Sequence, residues 1–170
     1  TLLGSVVMAT PLRTTLFALF LPKVMKKVDV EFQEERRELL RIPEGSSVLD
    51  VGSGGGAYFP YLGKARRVVA VEPSTALHST IQQTARDNGL LSPSKEFLIL
   101  TDLKQVTGTF DYVILGNVLC EVPDVDETLD TVDRLLVDKG LVYFSEHVAR
   151  PKGTWKRIFQ DTWNPFHRHI

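Results

Sequence analysis

The sequence predicts an α/β fold, a doubly wound and mostly parallel sheet with helices on both faces. Three observations predict it. Short apolar runs recur at residues 47–51, 67–71, 97–100, 112–115 and 141–145, the length and character of strands buried on both faces. Segments with helical spacing of apolar residues separate those runs, so the strands must be joined by crossovers. A glycine cluster, Gly52 to Gly56, interrupts the chain where the first run ends and a helical segment begins.

The elements follow in order. Residues 29–41 read as a charged helix with Phe32, Leu39 and Leu40 facing inward, ended by Pro43-Glu44-Gly45. The first strand is Ser47-Val48-Leu49-Asp50-Val51, followed by the glycines and a short helical segment to about Leu62. The second strand runs from Arg67 to Glu72-Pro73, where Ser74 is placed to cap a helix carrying Leu77, Ile81 and Ala85 toward a stop at Asn88-Gly89. Strands three and four are 97–100 and 112–115. Residues 124–136 form an amphipathic helix with Val125, Leu129, Val132 and Leu136 inward and acids in its first turn, where the helix dipole favours them. Gly140 is read as its stop, the fifth strand follows at 141–145, and residues 154–161 begin another helix.

A length of 170 residues suits a single domain, and 43% hydrophobic residues supply its core. Twenty basic against 21 acidic side chains, with no long basic run, argue against nucleic acid as a partner. Cys120 is the only cysteine, so no internal disulfide forms, in keeping with a cytoplasmic setting. Residues 1–41 are set apart as an apolar segment and leading helix, and 42–170 as the domain proper. Pro11 and Arg13 interrupt the apolar stretch, which is too short to span a membrane whole. Two readings of it stand. The basic Lys23, Lys26 and Lys27 suit a segment lying on a membrane surface through residues 1–27, on the cytosolic face of an intracellular membrane. The other is a lid that packs over the domain and covers its ligand site. No protein partner is implied.

Asp50-Val51-Gly52-Ser53-Gly54-Gly55-Gly56 carries the chemistry. Glycines at a strand-to-helix turn allow a tight bend and close approach of backbone to a ligand, as in Rossmann-like folds. Gly52, Gly54 and Ala57 also satisfy the dinucleotide pattern, and Glu72 lies about 20 residues on, where an acid grips ribose hydroxyls. NAD therefore competes with S-adenosylmethionine (SAM). Three details favour SAM. Asp50, two residues before the first glycine, suits a cationic ligand better than a pyrophosphate. Asp102, after the third strand, can accept a hydrogen bond from an adenine amine. The chain has no room for the second substrate domain of a dehydrogenase. Each acid also has a plain structural reading: Asp50 as a cap of the turn, Glu72 and Asp102 as solvated loop residues.

The run from Val48 to Gly56 resembles the first motif of class I SAM-dependent methyltransferases, and Glu72, Asp102, Phe110-Asp111-Tyr112-Val113-Ile114 and Arg134-Leu135-Leu136 follow in matching order. Asn117-Val118-Leu119-Cys120-Glu121-Val122, Glu146-His147-Val148-Ala149 and Gln160-Asp161-Thr162-Trp163-Asn164-Pro165 are similar to the methyltransferase-like alkyl-thiol methyltransferase group. That group attaches to membranes through an apolar N-terminus. The resemblance implies a small, lipophilic acceptor, with a thiol favoured. It also implies that Gly52, Gly54 and Gly56 line the cofactor, Glu72 holds the ribose, Asp102 and Leu103 bracket the adenine, and Asn117 and Leu119 flank the methionine moiety. Asp50, Ser53 and Pro73 complete the candidate cofactor-binding set. Departures are Ser53 and Gly55 in place of the group's usual cysteine and threonine, and Asp138-Lys139-Gly140 in place of Pro-Gly-Gly. The family's sixth and seventh strands are expected to be missing, which leaves the fifth strand as an open edge.

His147, at the carboxyl end of the fifth strand, is the candidate catalytic base; tying its loop to the next helix is an equal reading. Glu146 is a second candidate. Cys120 lines the site or is a small packed residue. Trp155, Phe159 and Trp163 wall an apolar acceptor pocket or pack a core. His167 and His169 read as tail residues, and no metal site is expected. Rival functions are an O- or C-methyltransferase of a quinone-like or other secondary metabolite, a non-catalytic SAM-binding module, and, more distantly, a dinucleotide oxidoreductase.

Overall fold

Side-chain alternation builds the centre of the molecule. The computed structural model describes residues 33–146 and, beyond them, 151–155, 157–158 and 161–162. Within the unit Gln33–Glu146 the elements are α1 (33–39), β1 (Ser47–Val51), β2 (Arg67–Val71), α2 (His78–Asp87), β3 (Glu96–Leu100), β4 (Phe110–Gly116), α3 (Val125–Leu135) and β5 (Leu136–Ser145). Val48, Val68, Ala70 and Ile114 point into one apolar cluster, with Phe59, Leu62, Ile81 and Ala85. Leu49, Val51, Val69, Val71, Val113 and Leu115 point into the other, with Phe110 and Val132. Successive residues therefore feed opposite faces, and in the central strands β1, β2 and β4 both faces are buried, while the edge strands β3 and β5 expose Leu98, Leu141 and Phe144.

The five strands pair in the order β3-β2-β1-β4-β5, all parallel. The predicted fold class is the observed one. From β1 the chain winds outward to β3, then returns to β4 on the other side. That reversal lies between β1 and β4 and opens a crevice at their carboxyl ends, where such sheets bind ligands.

Three local expectations are corrected. Gly140 does not stop the 124–136 helix: α3 ends at Leu135, and Leu136 is already extended (φ −80°, ψ 143°) and paired with Phe110. Asp138-Lys139-Gly140 instead forms a bulge inside β5, because β4 advances from Phe110 to Tyr112 while β5 advances from Leu136 to Leu141. Lys139 takes φ 64° there, and a Cβ on Gly140 would meet the Val137 carbonyl oxygen at 3.0 Å. In α1, Leu39 is 61% exposed, whereas Arg36 is buried with Leu40, one turn away. The Arg36 guanidinium lies 4.8 Å from the centre of the Tyr58 ring, so an aromatic face receives the charge. In α3, Val125 and Leu129 are exposed and Thr128 is buried in their stead.

At the opposite end of the sheet from the crevice, Ser47 and Asp111 staple β1 to β4. The Ser47 amide and hydroxyl each donate to Asp111 Oδ2 at 2.8 Å, and the Asp111 amide donates to the Ser47 hydroxyl at 3.2 Å. The backbone and side-chain bonds from Ser47 hold the Asp111 carboxyl below the usual range. Among the described residues no helix is long and apolar enough to cross a membrane. Residues 155, 157–158 and 161–162 are helical, with Thr154 Oγ1 accepting from the Arg157 amide at 3.2 Å. The apolar residues 1–27, Phe32, Phe159 and Trp163 lie outside the described residues.

Candidate functional site

The glycine loop is anchored before it is open. Gly52 and Ser53 amides both donate to the Val71 carbonyl, at 2.8 and 3.1 Å, tying the loop to the end of β2. Gly52, Gly54 and Gly56 all have positive φ (70°, 54° and 81°), which L side chains rarely adopt. Their surroundings differ. A Cβ on Gly52 would fall on Val118 and one on Gly56 would meet the Phe59 ring at 2.7 Å, whereas among the described residues nothing lies within 4 Å of one on Gly54. Gly54 thus presents backbone that no described side chain covers. The segment after the loop is a 3-10 turn, Phe59–Tyr61, where the sequence predicted a short helical segment.

Glu72 closes the loop from the far side. Its Oε2 accepts from the Gly54 amide at 2.9 Å and its Oε1 from the Ser74 amide at 2.8 Å. His78 Nε2 contacts the Glu72 carbonyl at 2.9 Å, fixing the backbone that carries it. Ser74 has N-cap geometry for the 3-10 turn Thr75–Leu77, but its side chain makes no capping bond.

Asp50 lies on the Val48 face of β1 and is fully buried. Neither carboxylate oxygen has a hydrogen-bond partner among the described residues. Burial pushes its pKa up from 3.8 to about 7, and the Glu72 charge adds to the rise. The Ser53 hydroxyl, which opposes that rise, donates to the Asp50 backbone carbonyl at 3.1 Å. A buried carboxyl without partners is costly when ionised, and a cation placed beside it removes the cost.

A cleft of about 400 Å³ opens at the carboxyl ends of β1, β2 and β3. Gly52, Pro73, Asp102 and Leu103, all predicted, line it with Val118 and Val122, and Glu127, Thr128 and Thr131 of α3 form its far wall. Asp102 is exposed and caps the 3-10 turn Leu103–Gln105, its Oδ1 accepting from the Lys104 amide at 2.9 Å. Lys104 Nζ pairs with Glu127 at 3.0 Å, linking that turn to α3, and the pair raises the lysine pKa.

Of the predicted set, Asp50, Ser53, Gly54, Gly56, Glu72, Asn117 and Leu119 are not among the residues lining the cleft. Asn117 follows β4 in the left-handed region (φ 55°), and its amide donates to the Ser145 carbonyl at 2.7 Å. Leu119 packs against the second apolar cluster. Glu146, a candidate base, spends Oε1 on the Val118 and Leu119 amides at 2.9 and 3.0 Å. Cys120 is exposed, and partial burial of its thiol together with the charges of Glu121 and Glu146 raises its pKa. Trp155 is 73% exposed. His147 lies outside the described residues. The polar wall from α3 carries no signal in the sequence, because polar residues on an amphipathic helix ordinarily face solvent.

Residues 25–170 match the methyltransferase domain family. The chain belongs to that family. It is 28% identical over 161 residues to human thiol S-methyltransferase TMT1B, covering 91% of this chain and 66% of that protein. Human thiol S-methyltransferase TMT1A is 32% identical over 127 residues, 72% of this chain and 52% of that one. The chain therefore spans about two thirds or less of the length of these relatives. Among solved structures, a SAM-dependent methyltransferase from Thiobacillus denitrificans in complex with S-adenosyl-L-homocysteine superposes with a TM-score of 0.62 at 16% identity, over 78% of this chain and 54% of that one. That likeness shows the fold.

SAM is the methyl donor of this family, and the residues present fit it. Its ammonium and sulfonium are the charges that a buried, partnerless Asp50 carboxylate favours. The open face of Gly54 admits a ligand against the backbone.

Proposed function

We propose that this chain passes a methyl group from SAM to a small, lipophilic acceptor, and that the acceptor atom is a thiol sulfur. The observation that carries the reading is the Asp50 carboxylate, buried without partners beneath a glycine loop whose outer face is open. The relatives' names support the thiol.

When bound, the donor supplies a sulfonium methyl group open to in-line displacement. The chain binds, orients and excludes water. Gly52 and Gly54 admit the ligand to the backbone, and Asp50 balances its positive charge. Glu72 offers its carboxylate to ribose hydroxyls: it has about four acceptor sites, of which two are taken by Gly54 and Ser74. Asp102 has one oxygen committed to Lys104 and the other free for an adenine amine, with Leu103 and Pro73 against the base. Ser53 and Gly56 hold the bend of the loop, and Asn117 and Leu119 belong to the methionine end. A thiol of pKa about 8.5 is partly ionised near neutrality, so it needs little help from a base. His147 is the residue assigned to take a proton where help is needed.

The test incubates the full chain with SAM and a lipophilic alkyl thiol, with matched alcohol and phenol acceptors beside it, and detects methylated product by mass spectrometry. Thiol methylation that survives His147→Ala, with alcohol methylation lost, supports the reading. Methylation of the alcohol or phenol alone points to an O-methyltransferase. Saturable SAM binding without turnover of any acceptor points to a binding module.

The same proposal places residues 1–27, of the segment 1–41 set apart in the sequence, against the cytosolic face of an intracellular membrane, while α1 (33–39) packs with the domain through Arg36 and Leu40. Lys23, Lys26 and Lys27 after an apolar run support it. Co-sedimentation with anionic vesicles that disappears when the three lysines become Glu is the expected result; unchanged sedimentation refutes it.

A further inference from the structure

The turn after β4 is held in place by the end of β5. Asn117 takes φ 55°, a left-handed conformation that asparagine adopts more readily than most side-chain-bearing residues, and its neighbours fix it there. Three consecutive amides supply that constraint. Asn117 donates to the Ser145 carbonyl, and Val118 and Leu119 both donate to one oxygen of the Glu146 carboxylate. Charge-assisted bonds of this kind are stronger than neutral ones. The restrained residue that matters is Val118. It is 8% exposed, lines the cleft, and covers Gly52 so closely that a Cβ on that glycine would fall on its side chain.

We infer that Glu146 is a positioning residue for the cofactor cleft: by gripping the Val118 and Leu119 amides it sets where the Val118 wall stands over Gly52. The inference rests on the reading of that cleft as the SAM site. Glu146 lies at the mouth of the sheet, yet its work is done through Val118 and not on the reacting atoms. Releasing it lets the 117–119 turn relax from its left-handed geometry, and the wall moves away from the glycine loop.

The test compares the full chain with Glu146→Gln, Glu146→Asp and Glu146→Ala by calorimetric titration with SAM and by amide hydrogen exchange without ligand. The Gln side-chain oxygen can accept the same two N–H groups, so affinity and exchange are expected to stay within about threefold of the wild-type chain. Ala removes both bonds, and a loss of about tenfold or more in SAM affinity is expected, with faster exchange at Val118 and Leu119 and none at β1 amides. If the Ala variant does not fold, the shorter Asp side chain withdraws the acceptor, and a loss of about fivefold is expected. A folded Ala variant that binds SAM as tightly as wild type overturns the inference. So does a Gln variant that loses as much as Ala, since charge and not grip would then be at work. Failure of the wild-type chain to bind SAM would sink the reading of the cleft, while exchange at Val118 and Leu119 would still judge the grip itself.

Discussion

Replacing Asp50 with Asn is expected to stabilise the chain above neutral pH while weakening its hold on a cationic ligand. Asp50 is buried, and its pKa stands at about 7 against an ordinary 3.8. A carboxyl raised in this way keeps its proton longer in the folded chain than in the unfolded one. Stability therefore falls as pH rises from 3.8 to about 7, and the full penalty persists above that range. About three pH units at about 1.4 kcal/mol each give about 4 kcal/mol as an upper bound, since relaxation and water entry reduce it. Between pH 5 and pH 8 the wild-type chain is then expected to lose about 2 kcal/mol from this group alone. Asn has the shape but no charge, and it still buries an amide without partners, leaving a net gain of about 1–3 kcal/mol at pH 8. Urea unfolding of both chains at pH 5 and pH 8, with equal m-values, reads the difference. Calorimetric titration with SAM at pH 8 reads the other half, an expected loss of about tenfold or more in affinity. An Asn variant less stable than wild type at pH 8, or one that binds SAM equally well, would refute the reasoning.

Two further substitutions probe the loop and the staple. Gly52→Ala incurs both a left-handed backbone and a clash with Val118, together about 2–4 kcal/mol by urea unfolding; Val118→Ala in the same chain is expected to recover part of the clash, its remaining Cβ still 2.9 Å away, and none of the backbone share. Additive losses in that double-mutant cycle would show that the two side chains do not compete for the space. Ser47→Ala removes two of the three bonds to Asp111 and is expected to cost about 1–2 kcal/mol near neutral pH. Because the Asp111 pKa is depressed, its contribution is present above 3.8 and lost as pH falls through its lower folded value, so the variant's deficit is expected to shrink in acid. A deficit that stays constant down to pH 2 would exclude the linkage.

What was legible in the sequence was what is encoded locally. Five apolar runs placed the five strands: β1, β2 and β4 are buried on both faces and so apolar almost throughout, while β3 and β5 keep apolar runs at the sheet edges even though Leu98, Leu141 and Phe144 are exposed. The glycines marked the loop, because positive φ at Gly52, Gly54 and Gly56 is a demand of the backbone at those positions themselves. Gly140 misled for the same reason. A glycine reports close approach or unusual φ, not which element needs it, and here the need arises from a bulge defined only by pairing with β4. Arg36 could not be read as buried from α1 alone, since the ring that receives it is Tyr58, 22 positions away. The grip of Glu146 on Val118 and Leu119 likewise exists only once β4 and β5 are neighbours.

Asp50 shows why the local and tertiary readings have to be joined. Its position before the glycines suggested a cationic ligand, but an acid there could equally have capped the turn. The structure removes that alternative, because the carboxylate makes no cap and no other hydrogen bond among the described residues. A group that opposes folding above pH 7 and has no hydrogen-bond partner among the described residues weighs against stability, and that is expected where a site and not a core sets the residue. The cost to the empty chain and the fit to a positively charged donor are one property of one carboxylate. For that reason a given concentration of ligand is expected to stabilise the wild-type chain more strongly than Asp50→Asn at pH 8, by the amount that the ratio of their two affinities sets.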